Sequence, residues 1–123
     1  MTYLVKRIHR TVEINSVWDK NPWKQIEPIQ LNFFMGEKPN HFPVTQAKLA
    51  YDEAALYIIF RVQDRYVRAV AKKHQDQVCN DSCVEFFFTP ENSIKKGYFN
   101  LEMNCGGFML FRFQTKPGTK KKY

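Results

Sequence analysis

The sequence predicts an all-β protein, an antiparallel β-sandwich of the jelly-roll-like kind. Three observations lead there. Strand-favouring residues dominate, with 11 Phe, 6 Tyr and 2 Trp among 123 residues and more β-branched side chains than Ala or Leu. Apolar and polar residues alternate in several separate runs. Short segments rich in Gly, Pro, Asn and Asp punctuate those runs, and only one weak helical window, near 68–74, competes. A chain of this length suits a single domain with one core.

Residues 11–35 carry Trp18 and Trp23 beside Asn-Pro and Glu-Pro breaks. They read as an irregular packed lead-in to a strand near 29–34, with both tryptophans in the core. "GEKPNHFP", residues 36–43, is a loop by its Gly and two Pro residues. In "TQAKLAYD", Ala47, Leu49 and Tyr51 alternate with Gln46, Lys48 and Ala50, and "LYIIFRVQD" sets Leu56, Ile58, Phe60 and Val62 on one face. The "DEAA" between them is a turn, so the two runs form a hairpin. "YVRAVAKK" either extends the second run or starts another strand, and "HQDQVCND" is a polar loop. The last strands are 83–89, 98–104 and, after the Gly106–Gly107 turn, 108–113. The domain therefore spans residues 1–114, and 115–123 reads as a basic, disordered tail.

The pairing of 83–89 with 98–104 raises a chemical question. The connection from Pro90 to Gly97 is short enough for a hairpin, and the apolar faces must coincide, because a one-residue slip would turn Phe99, Leu101 and Met103 to solvent. With Thr89 opposite Tyr98, Glu85 falls opposite Glu102, Cys83 opposite Asn104 and Phe87 opposite Asn100. One face then carries Glu85, Asn100, Glu102 and Asn104, with Phe87 among them. Two facing carboxylates repel. They persist if one keeps its proton, if an Arg or a cation lies between them, or if a ligand's hydroxyls bridge them. Three readings follow: a solvated outer face, a glycoside hydrolase site using Glu85 and Glu102, or a carbohydrate-binding face.

The net charge is +7, but much of the excess lies at the two ends. No basic cluster of the kind a specific nucleic-acid binder gathers stands in the middle. No stretch approaches the roughly 20 apolar residues that span a bilayer. No apolar run follows the charged N-terminus, so no signal peptide is visible. Cys79, Cys83 and Cys105 are odd in number and read as free thiols. His74 with the three cysteines matches no common zinc spacing. Asp64, Asp76 and Asp81, in or near polar loops, are candidate ligands for a structural calcium, with turn chemistry as the plainer explanation.

"DSCVEFFFTP" followed by "GYFNLEMNCGG", with "TQAKLAYDEAALYIIFRVQDR" upstream, closely resembles the family 9-like carbohydrate-binding modules, β-sandwich domains some of which accompany xylanases. The resemblance covers residues 18–113. It implies noncatalytic binding of plant or cell-wall polysaccharide, such as xylan or cellulose, with Glu85 and Asn104 as the primary hydrogen-bonding residues and Glu102 and Asn100 beside them. It makes Asp81 a polar or structural neighbour. Family members hold the sugar between two tryptophans; the place matching one of them is about Cys79, and the other lies beyond residue 113. The resemblance therefore also implies a module truncated at its C-terminus, with weakened sugar affinity and open strand edges that could pair two copies of the chain. The competing expectation is a structural or protein-interaction module that keeps the fold without the sugar.

Overall fold

A computed structural model describes residues 2–115 together with the backbone of Lys121–Lys122. Among the described residues all regular structure is β, apart from three single 3₁₀ turns. The strands form two sheets, as the all-β reading requires, and each sheet belongs to its own compact unit, Met1–Asp64 or Arg65–Tyr123.

In the first unit, β1 (Lys6–Arg7), β2 (Ile29–Gln30), β3 (Val44–Tyr51) and β4 (Leu56–Gln63) make one sheet. β3 pairs antiparallel with β4 along its whole length, from Val44 opposite Gln63 to Tyr51 opposite Leu56. The other edge of β3 is shared: β1 lies parallel to Ala50–Tyr51, and β2 lies antiparallel to Gln46–Ala47. The turn between β3 and β4 follows from Asp52, whose Oδ1 accepts from the Ala54 and Ala55 amides at 2.8 Å each. β2 is shorter than the 29–34 expected. The Leu31 amide reaches the Thr45 carbonyl at 2.9 Å, β3 starts one residue earlier at Val44, and beyond that no β3 backbone remains for the chain to pair with.

The lead-in packs as expected. Val12, Trp18, Trp23, Ile26, Ala50 and Ile59 form a buried cluster, with Ile8 and Tyr57 against it. The face of β3 and β4 beneath it is the one carrying Lys48 and Ala50. Lys48 is only 5% exposed: its Nζ donates to the Trp23 carbonyl at 2.8 Å and lies 4.3 Å from the Trp18 ring centroid. The Arg61 guanidinium sits 4.7 Å from the same ring. An aliphatic stem thus fills the core while its charge rests on an aromatic face and a carbonyl.

In the second unit, β5 (Cys83–Phe88), β6 (Tyr98–Asn104), β7 (Met109–Gln114) and β8 (Lys121–Lys122) form an antiparallel meander in that order. Lys121 and Lys122 of the expected tail pair with Phe113 and Arg112; residues 116–120 and 123 of that tail lie outside the described residues. Gly97, just before β6, has φ +120°, and a Cβ there would stand 2.5 Å from Phe113 Cζ and 2.7 Å from the Gln114 carbonyl, so only glycine fits. "YVRAVAKK" is neither strand nor helix. Its backbone bonds to the Asp81–Ser82 turn instead: the Arg68 amide to Ser82 Oγ, and the Ala71 amide to Asp81 Oδ2 at 2.9 Å. A segment whose amides are claimed by side chains has none to offer a neighbouring strand.

One face of this sheet is a phenylalanine ladder. Ring centroids run 5.1 Å from Phe86 to Phe88, 5.2 Å from Phe88 to Phe99, and 4.9 Å from Phe99 to Phe113. These rings are half-buried. The opposite face holds the more deeply buried residues of the unit's sheet: Asn100, Glu102, Asn104, Leu110, Arg112 and Gln114. The expectation of a solvated polar face is corrected here. The face is polar, but on the two central strands it is closed to solvent.

Candidate functional site

The polar face is built across three strands. Its register is the one that follows from Thr89 opposite Tyr98, with Glu85 opposite Glu102, Cys83 opposite Asn104 and Phe87 opposite Asn100. β7 adds a residue that the hairpin alone could not reveal: Arg112 stands opposite Asn100. Extending the same alternation into 108–113 would have found it.

Glu102 is 5% exposed. Its Oε1 accepts from Asn100 Nδ2 at 2.9 Å and lies 3.9 Å from Arg112 Nη1. An arginine therefore balances the buried carboxylate, one of the ways two facing glutamates can coexist. The balance is incomplete. Glu102 Oε2, Asn100 Oδ1 and Arg112 Nε are buried without a hydrogen-bond partner among the described residues, and such unmet groups are costly.

Glu85, one strand away, is exposed. Partial burial, and then the charge of Glu102, raise its carboxyl above the ordinary range. On the same face of β5, Phe87 is 52% exposed. Cys83 completes that row; burial first, then Glu85 and Glu102, push its thiol up to about 11, so it stays protonated at neutral pH.

Asn104 has different work. Its Oδ1 accepts from the Gly106 and Phe108 amides at 3.1 and 3.0 Å. Its Nδ2 donates to Asp81 Oδ2 at 3.0 Å and reaches the Ala71 carbonyl at 3.4 Å. Asp81 in turn is held below the usual carboxylate range by Asn104 first and by the Ala71 and Val70 amides next. Asn104 thus ties the β6–β7 turn to the Ala71–Asp81 loop, and its amide is fully engaged within the protein.

The other candidates do not assemble. Among the described residues no three His, Cys, Asp or Glu side chains gather as a metal-binding group. Asp64 pairs with His41 at 2.8 Å, Asp76 bonds its neighbour's amide, and Asp81 is committed to Asn104. All three cysteines are free. The Glu102 carboxyl is buried and bonded to Asn100, whereas a glycosidase carboxyl faces the scissile bond.

The family model for carbohydrate-binding family 9 matches residues 14–122. The chain belongs to carbohydrate-binding family 9. The family 9 match takes in every strand but β1, together with the lead-in tryptophans and the Glu85 hairpin. A solved structure from Bacteroides uniformis ATCC 8492, of a protein provisionally assigned as carbohydrate-binding, shares the fold with a TM-score of 0.78 and 25% identity. The likeness covers 97% of this family 9 chain and 55% of that one, so the chain spans little more than half of its neighbour's length. No match was found among curated proteins.

Proposed function

We propose that the chain binds carbohydrate without catalysis, and that the sugar meets the 83–89/98–104 hairpin at Glu85. Family 9 membership supports the class of ligand. The observation that carries the site is the pairing of an outward carboxylate, Glu85, with an exposed ring, Phe87, on one row of one strand. A carboxylate accepts from sugar hydroxyls, and an aromatic face packs on a sugar's C–H groups. Glu102 faces Glu85 and acts on its charge, Asn100 stands opposite Phe87, and Asn104 holds the turn that ends β6. Plant and cell-wall polysaccharides, xylan and cellulose among them, are the ligands proposed.

The test is an amide proton–nitrogen spectrum of the full chain, titrated separately with xylo- and cello-oligosaccharides. Saturable shifts at residues 84–88, weakened by Glu85→Gln, support the site. A folded, well-dispersed spectrum that no oligosaccharide moves would favour an interaction module instead.

A further inference from the structure

The first unit holds a cavity that the hairpin reading leaves unused. It measures ≈ 400 Å³, within the range of small-ligand sites, and every residue lining it belongs to the Met1–Asp64 unit. Its walls come from the 36–43 loop and from the chain on either side of it. On one side are Gln30, Asn32 and Phe34; on the other are Phe42 and Thr45, with Lys38 from the loop itself. The Leu31 amide bonds the Thr45 carbonyl at 2.9 Å and fixes the base. Phe34 and Phe42 meet edge to face at 5.6 Å across the mouth of the loop.

Chemically the cavity has three components. Two aromatic rings supply apolar contact, and Phe34 remains 43% exposed. Two amides and a hydroxyl supply both donors and acceptors. Lys38 is the single charged lining residue, and no carboxylate opposes it. Aromatic rings beside amides and a hydroxyl suit a pyranose, whose C–H face packs on a ring while its hydroxyls take hydrogen bonds. The lining cation Lys38, whose Nζ lies 5.8 Å from the Phe42 ring centroid, suits a carboxylate on that pyranose.

We propose that this cavity is a second saccharide site, selective for a uronic acid residue, with Phe34 and Phe42 against the ring and Lys38 pairing with the carboxylate. It is separate from the Glu85 row and does not depend on it.

The test uses methyl glucuronoside and methyl glucoside as probes on the full chain, read by amide shifts. Glucuronoside should move Asn32, Phe34, Lys38 and Phe42 with at least about tenfold tighter binding than glucoside, the scale of one charge-assisted hydrogen bond. Lys38→Gln, an exposed change, should erase that preference, whereas Glu85→Gln should leave it intact. Equal binding of both probes, shifts confined to residues 84–88, no shift at all, or a preference that survives Lys38→Gln would each overturn the proposal. Loss of binding at Glu85 with these shifts retained would sink the hairpin site alone.

Discussion

Glu85 and Glu102 face each other directly on adjacent antiparallel strands, yet Glu102 is 5% exposed and held beside Arg112 while Glu85 stands in solvent. One carboxylate is buried within the sheet's polar face and the other is exposed.

Glu85→Gln should therefore weaken oligosaccharide binding by about tenfold or more, as loss of a charged hydrogen-bond acceptor does, without unfolding the chain. It should also change the pH profile. A carboxyl whose folded pKa is raised binds its proton more tightly folded than unfolded, so its penalty is complete at neutral pH and is relieved as pH falls through the raised value. Wild type should gain stability on mild acidification from neutrality, before Asp81 and other carboxylates lowered by their hydrogen bonds begin to protonate. Denaturant midpoints measured across that range should show the gain in wild type and not in the variant.

Arg112→Met should cost about 3–5 kcal/mol, because it leaves Glu102 buried without its cation. Adding Glu102→Leu to the same chain should recover most of that loss. Urea unfolding of the two single variants and the double gives the coupling directly; additive costs would mean that Arg112 and Glu102 do not act as a pair.

Asn104→Ala removes a side chain that accepts two amides and donates to Asp81, so a loss of about 2–3 kcal/mol is expected. The loss should be visible locally. Hydrogen exchange at the Gly106, Phe108 and Ala71 amides should quicken well before that of β5.

Lys48→Ala should destabilise the first unit by about 2 kcal/mol through lost stem packing, the bond to the Trp23 carbonyl and the Trp18 contact. Its reporters are built in: emission from Trp18 and Trp23 should shift to longer wavelength as water reaches them.

Cys83 should resist alkylation at pH 7–8, where a thiol pushed up to about 11 has almost no thiolate. Cys79 and Cys105 are exposed and should be modified first. Peptide mass spectrometry after a timed iodoacetamide pulse gives the order.

Much of the second sheet was legible because alternation leaves little freedom. Once Phe99, Leu101 and Met103 had to share a side with Val84, Phe86 and Phe88, the faces were fixed; a two-residue shift would have kept them, and the pairing of Glu85 with Glu102 followed from setting Thr89 opposite Tyr98. The depth of that face was not legible. Alternation says which residues share a side and nothing about which side is covered, so a row of Asn, Glu and Asn left a solvated face and a ligand-binding face equally open. Arg112 was missed because the pattern was followed across one hairpin and stopped before β7. The role of Asn104 depends on where the Ala71–Asp81 loop passes, and no local pattern carries that. In the first sheet the turn at Asp52 was plain from its chemistry, whereas burial of Lys48 beneath two tryptophans runs against every expectation for a lysine in a strand.

The polar face of the second sheet divides labour by strand: β6 and β7 carry the buried charges, and β5 carries the outward pair Glu85 and Phe87. For protein engineering, this makes β5 a cassette. A library randomised at those two positions would sample new ligand preferences on an unchanged frame, and the best clones should melt near the parent temperature.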